Sequence, residues 1–241
     1  MNFKTIGNID IYDESTWNEA VFVTIDVDWA SDSVLAYLLD LIEAADLACT
    51  IFVTHETSLI SRMRNMKNIE LGIHPNFNPL LTGDNRYGKT VYEIVDYYKR
   101  IVPEAISARS HSITQGSLIY DAFIKAGIQF DCNTFIPAHS NIELKPWKED
   151  FELYKIPHFW ADDFQISLNQ QFNIETYLNA NGLKVFDFHP IHIFLNSERM
   201  ERYNKSRPFL QDYKKLKGFI NADSYGIRDF FRELIDGRNM D

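Results

Sequence analysis

The chain has 241 residues, enough for one large α/β domain with a sizeable core, and its hydrophobic fraction of 45 % with 24 % charged residues is ordinary globular usage. A formal net charge of −10 argues against a nucleic-acid partner, since so acidic a surface repels phosphate backbones. Two cysteines are too few for a disulfide framework or a thiolate zinc site, and Cys49 and Cys132 sit in apolar runs as buried thiols would. No cleavable leader is read at the N-terminus and no run approaches the ~20 apolar residues of a membrane span, so the expected setting is cytoplasmic.

In chain order, the first 15 or so residues are polar with apolar spots and read as peripheral. Val21 to Trp29 is a β-branched run of the kind that forms a buried parallel strand. Ser31-Asp32-Ser33 offers a cap for a helix carrying Val34, Leu35, Leu38, Leu39, Leu41 and Ile42. Further strands are expected at Cys49–Thr54, Ile69–Ile73, Ala105–Ala108, Gly127–Cys132, Leu153–Pro157 and Lys184–Phe188. Helices are expected at Glu56–Met66, Val91–Val102 and Gly116–Ala126, with an amphipathic segment at Ile174–Asn181. The polar stretch from Pro75 to Lys89 reads as a long loop of the kind that carries function. The tail from Ser197 to Asp241 is charged and helical. Its basic run (Arg199, Arg202, Lys205, Arg207, Lys214, Lys215, Lys217) reads as a solvated face.

Strand–helix alternation without a linker or repeat points to a single α/β domain around a parallel sheet. A barrel is favoured because the residues with chemical potential fall just past the C-terminal ends of several strands, where barrel active sites collect.

Four segments carry those residues. In Thr24-Ile25-Asp26-Val27-Asp28-Trp29 the two aspartates, two apart on a strand, share a face. Two such carboxylates stay ionised only beside a compensating cation or strong donors. In Gly72-Ile73-His74-Pro75-Asn76-Phe77-Asn78, a helical turn opened by Pro75 would bring His74 and Asn78 to one point. Ser107-Ala108-Arg109-Ser110-His111-Ser112 offers an arginine able to hold a carboxylate in two-pronged fashion, and a histidine that could bind metal, contact substrate or simply brace the barrel mouth. Phe186-Asp187-Phe188-His189-Pro190-Ile191-His192 ends a strand in a histidine that could protonate a leaving amine. Trp29, Trp160, Asp162 and His192 are the remaining candidates for substrate contact. No phosphate loop, Gly-x-Ser-x-Gly elbow or His-Glu-x-x-His zinc helix is present.

Taken in order, these segments resemble the NodB-type polysaccharide deacetylases of carbohydrate esterase family 4. The runs Glu70 to Leu81 and Phe188 to His192 are most similar to its WbmS-type branch, which accompanies bacterial surface-polysaccharide synthesis. The resemblance covers about residues 20 to 195, followed by a helical tail. It implies a distorted (β/α)-barrel of about seven parallel strands and a hydrolase that removes an N-acetyl group from a carbohydrate. It implies a divalent metal held by Asp28, His74 and Asn78, with zinc first and Co, Ni, Mn or Mg as alternatives. It makes Asp26 the base, Arg109 its orienter and His189 the acid.

Two departures stand out. Val27 separates the family's adjacent aspartates, and Asn78 stands where the family has a second metal-binding histidine. The site is therefore expected to be weak, to prefer a harder metal, to recruit His111 instead, or to have lost its metal. Two other functions follow as alternatives: a barrel hydrolase of another amide, such as a ureide, or a silent glycan-binding homologue. Oligomeric state is not read from the sequence.

Overall fold

The structure is a computed structural model, and it describes residues 1–149, 152–168 and 173–237. The strands are β1 (Asn2–Lys4), β2 (Ala20–Asp26), β3 (Cys49–Val53), β4 (Ile69–Ile73), β5 (Ser107–Ala108), β6 (Phe130–Asp131), β7 (Trp147–Lys148), β8 (Tyr154–Lys155), β9 (Trp160–Ala161) and β10 (Lys184–Phe188). The longer helices are α1 (Asp32–Ala44), α2 (Ile60–Asn65), α3 (Asn78–Leu81), α4 (Val91–Ile101), α5 (Ser117–Lys125), α6 (Asp162–Leu168), α7 (Ile174–Leu178), α8 (Pro190–Leu195), α9 (Met200–Ser206), α10 (Tyr213–Leu216) and α11 (Ile227–Asp236).

The strands form one curled sheet in the order β7-β8-β6-β5-β4-β3-β2-β10-β9, with β1 also pairing to β2. Every pairing is parallel except the β7–β8 ribbon. The two ends of its parallel part lie on one stretch of chain, because β8 and β9 are successive pieces of Tyr154–Ala161 separated by Pro157. β6 pairs with the first piece and β10 with the second, and Phe135 bridges to His158 between them. The sheet thus curls into a distorted barrel, as expected, with seven parallel strand positions: β2, β3, β4, β5, β6, the 154–161 stretch and β10. Proline interrupts that stretch because it cannot donate to the ladder.

β2, β3 and β10 are buried almost throughout, as expected for apolar runs covered on both faces. Leu35, Leu38, Leu39 and Ile42 of α1 bury the apolar stripe of that helix against the sheet.

Three expectations need correction. The N-terminal segment is not peripheral: β1 extends the sheet, and Phe3, Ile6 and Ile9 belong to the core. The tail is part of the core as well. Ile227, Phe230, Phe231, Leu234 and Ile235 of α11 are buried in it. Its basic run is largely paired on the surface, Arg202 with Glu198, Lys205 with Glu201 and Lys215 with Asp212. Residues 238–241 of the tail lie outside the described residues. Finally, β2 ends at Asp26, so Asp28 lies beyond the strand rather than in phase on it.

Candidate active site

The C-terminal ends of β2, β4, β5 and β10 meet at a cavity of about 410 Å³. Asp26, Asp28, His74, His111 and His189 all line it, so five of the site residues read from the sequence converge there. Each arrives by a different local device.

Asp28 and Trp29 adopt left-handed backbone conformations, with φ of 45° and 55°. Such values are uncommon outside glycine and mark a constrained turn. Thr54 Oγ1 accepts from the Trp29 amide at 3.1 Å, and Trp29 O accepts from Gln211 Nε2 at 3.0 Å, which holds the turn from two sides. The turn, rather than strand alternation, aims Asp28 across the cavity.

His74 follows β4 directly and is buried. Its Nε2 stands 3.2 Å from Asp28 Oδ1, and its Nδ1 faces Asp26 Oδ2 at 3.6 Å. The two aspartates therefore bracket one imidazole. His111 Nδ1 lies 3.1 Å from the same Asp28 oxygen and 3.4 Å from His74 Nε2. The His111 amide donates to Pro75 O at 2.9 Å, which joins the loops carrying the two histidines.

Asn78 takes another course. Pro75 does not open a helical turn; α3 begins at Asn78 with Pro79 in its first turn. The Asn78 side-chain amide donates to Ser112 Oγ at 3.1 Å, and Asn78 does not line the cavity. The donor beside Asp28 and His74 is His111, the alternative noted from the sequence.

These three donor atoms stand 3.1 to 3.4 Å apart. A tetrahedral ion with ligands at about 2.0–2.1 Å requires neighbouring donors about 3.3–3.4 Å apart. One carboxylate oxygen and two imidazole nitrogens at that spacing form three corners of a tetrahedron, with the fourth open to the cavity. The residues present fit a divalent metal ion. Asp28 is held well below the usual carboxylate range: burial works against this, but His111 and His74 outweigh it.

Arg109 is buried inside the barrel beneath this group. Its Nη1 donates to Asp26 Oδ1 at 3.0 Å, to Thr24 Oγ1 at 2.9 Å and, more closely, to Asp187 Oδ1. Its Nε donates to Cys132 O at 3.2 Å, and the Phe52 ring lies 4.8 Å from the guanidinium. Burial pushes its pKa down, yet Asp187 and Asp26 raise it, so the cation is held in place. Burial and the neighbouring Asp26 push the Asp187 carboxyl well up, against the pull of Arg109. Two carboxylates thus share one arginine. Asp187 was not among the site residues read from the sequence; its place two residues before His189 on β10 is the local signal that could have found it.

His189 is the residue before α8, with Pro190 at the first helical position. Asp162 grips it twice, accepting from the His189 amide at 2.7 Å and pairing with Nδ1 at 2.6 Å. That leaves Nε2 facing Asp28 Oδ2 at 3.7 Å. Burial opposes the charged imidazole, but Asp162 raises its pKa well above the ordinary histidine value.

The remaining candidates separate clearly. Asp162 is fully buried and holds His189 instead of meeting substrate. Trp29 packs edge-on against His111 at 4.9 Å and lines an adjoining cavity of about 140 Å³ together with His192. His192 is buried, pairs with Ser197 Oγ at 3.2 Å and packs on Tyr203. Trp160 is no substrate wall: it is fully buried and stacks on Phe230 at 4.6 Å. The aromatic wall of the main cavity is Phe135 and Phe164, which the sequence reading did not single out. Their dispersed positions carry no local signal.

A family model for WbmS-like polysaccharide deacetylases matches residues 23–207. Among solved structures, the chain is similar to the WbmS protein of Bordetella bronchiseptica, provisionally described as a polysaccharide deacetylase involved in O-antigen biosynthesis. The TM-score is 0.92 at 37% identity, over 99% of this chain and 98% of that one. Much weaker likeness links it to a provisionally described polysaccharide deacetylase from Mycobacterium smegmatis (TM-score 0.49, 14% identity, 96% and 94% covered). A family 4 carbohydrate esterase from Streptomyces lividans is similar at TM-score 0.43 and 13% identity, over 70% and 78% of the two chains. Comparison with curated proteins gave no match. From the family model and the Bordetella relative together, the chain belongs to the WbmS-like polysaccharide deacetylases.

Proposed function

We propose that this deacetylase is a divalent-metal enzyme that removes the N-acetyl group from a sugar of a surface-polysaccharide precursor. The observation that carries the metal reading is the mutual spacing of Asp28 Oδ1, His74 Nε2 and His111 Nδ1. The reading of the substrate rests on family membership and on the O-antigen assignment of the Bordetella relative. A cytoplasmic setting agrees with two buried free thiols, Cys49 and Cys132. Zinc suits the mixed nitrogen and oxygen donor set best.

Asp28, His74 and His111 would hold the ion, which when bound supplies Lewis-acid polarisation of the amide carbonyl and acidifies a water. Asp26 removes the proton from the attacking water. Arg109 fixes the other Asp26 oxygen, so Oδ2 is the basic atom and faces the cavity beside His74. Arg109 compensates the charge of the Asp26 carboxylate. His189, across the cavity, donates from Nε2 to the departing nitrogen. Asp162 on Nδ1 fixes the tautomer and stabilises the imidazolium before that transfer. The products are acetate and an amino sugar.

The silent-homologue alternative drew on the histidine missing at position 78, and His111 supplies a third donor of the same chemical type. Asp26→Asn tests the assignment directly. Acetate release should fall by roughly 10²–10⁴-fold, while one equivalent of Zn²⁺ stays bound through dialysis. Full activity in that variant would overturn the role of Asp26, and a wild-type protein that retains no divalent ion would overturn the metal reading.

A further inference from the structure

His111 and Arg109 sit two residues apart on the segment that follows β5, yet neither position is fixed by the strand, which is only two residues long. On one side the segment is held by the chain leaving β4, where Ile73 O accepts from the Arg109 amide at 3.1 Å and Pro75 O from the His111 amide at 2.9 Å; on the other side it is held by the chain leaving β6. The Cys132 amide donates to Ala108 O at 2.9 Å, and Cys132 O accepts from Arg109 Nε at 3.2 Å. Next along, Asn133 Oδ1 accepts from the Ser110 amide at 2.7 Å. The residues Asp131-Cys132-Asn133 therefore grip Ala108, Arg109 and Ser110 in succession.

The grip at Ser110 requires Asn133 to present its oxygen and not its nitrogen. Asp131 enforces this. Asp131 Oδ1 accepts from the Asn133 side-chain amide at 2.6 Å and from its backbone amide at 3.0 Å. With the NH₂ end committed to a carboxylate, the carbonyl end must face Ser110. Asp131 is itself fixed by Lys155, whose Nζ lies 2.5 Å from Oδ2 and 3.7 Å from the centre of the Tyr120 ring. Asp131, Asn133 and Lys155 are all at least 98 % buried, and none lines the active-site cavity. Burying this ion pair costs desolvation, and surface solubility gains nothing from it.

We infer that Lys155, Asp131 and Asn133 form a positioning relay that sets the third metal-ligand position, His111, by locking the amide of Ser110. The relay rests on the metal reading given above. In a site whose third ligand comes from a separate strand end, that ligand needs its own brace. The other two bonds of the grip, to Ala108 and Arg109, come from the backbone of Cys132 between Asp131 and Asn133, so one stretch of chain holds both the base orienter and the ligand segment.

The test compares Co²⁺ affinity of wild type and Asn133→Ala in otherwise metal-free full-length protein, by competition with a chromophoric chelator, alongside the visible spectrum of the bound ion. Partners that orient a metal-binding histidine typically govern affinity by about 10–100-fold, and a loss in that range with an altered cobalt spectrum is expected. A Kd within twofold of wild type and an unchanged spectrum, with only a lowered Tm, would reduce the relay to ordinary core packing and overturn the inference. If Asn133→Ala does not fold, amide hydrogen exchange of the metal-free wild type decides instead. Ser110 should be as protected as Ile51 and Phe52 in β3, and rapid exchange at Ser110 would refute the lock. Absence of Co²⁺ binding by the wild type would sink the metal reading itself, whereas the Ser110 exchange rate would still decide whether the lock exists.

Discussion

The two ends of the curled sheet are built on opposite principles. At the N-terminal end of the strands, polar groups are matched. Glu70 accepts from the Gly7 amide, from Thr50 Oγ1 and from Ser107 Oγ, and Thr50 Oγ1 in turn accepts from the Ile6 amide. The segment around Gly7 closes that end with no residue of positive φ. At the C-terminal end, buried polar atoms lack hydrogen-bond partners: His74 Nδ1, Arg109 Nη2, Ser110 Oγ and His158 Nδ1. Four non-glycine residues there, Asp28, Trp29, Ser112 and Ile113, have left-handed backbone. Strain and unmet polar atoms cost of order 1–3 kcal/mol each. Their clustering around the cavity marks where structure has been given over to chemistry.

Substitutions at the two ends should therefore separate activity from stability. The largest effect is expected for His111→Ala, which should abolish stoichiometric Zn²⁺ binding and lower acetate release on the order of a thousandfold. Asn78→Ala, four residues after His74, should change activity by only about twofold; a reversed order of these two variants would return the third ligand to Asn78. A smaller loss, roughly 10–100-fold in kcat, is expected for Asp162→Asn. Because Asp162 raises the His189 pKa, and the acid must be protonated to act, activity in the wild type falls as pH rises through that elevated value. Without the carboxylate the basic limb should move to lower pH, as a pH–kcat profile would show. An unmoved limb would assign the acid elsewhere. The smallest effect on catalysis belongs to the matched end. Glu70→Ala removes three hydrogen bonds and should lower stability by about 1–3 kcal/mol, measured by urea unfolding, with kcat and KM of the folded enzyme unchanged. A fall in kcat there would break the division between the two ends.

Much of this division could be read from local sequence. The apolar runs at β2, β3, β4 and β10 and the acids and histidines after them depend on composition over five to nine residues, which survives without knowledge of the fold. Trp160 failed because an aromatic after a strand has the same local pattern in a core as in a cavity. Partners distant in the chain, Phe188 of β10 and Phe230 of α11, decide that it packs inward. Asn78 failed because its pairing with His74 assumed a helical turn at Pro75, whereas the chain delays the helix until Asn78 itself. The apparently peripheral N-terminus failed because β1 is only three residues long, too short to show alternation, and is ordered by pairing to β2.

The amino-acid sequence by itself determined the strand-and-helix alternation, the placement of Asp26, His74, Arg109 and His189 at strand ends, and the family resemblance that orders them. These rest on periodicity and on residue types close together in the chain. Tertiary structure alone decided that Asp28 reaches the site from a left-handed turn, that His111 and not Asn78 stands beside it, and that Asp187 and Asp162 hold Arg109 and His189. Each of those outcomes rests on contacts between segments 25 to 182 residues apart in the chain, pinned by hydrogen bonds whose partners no local pattern specifies.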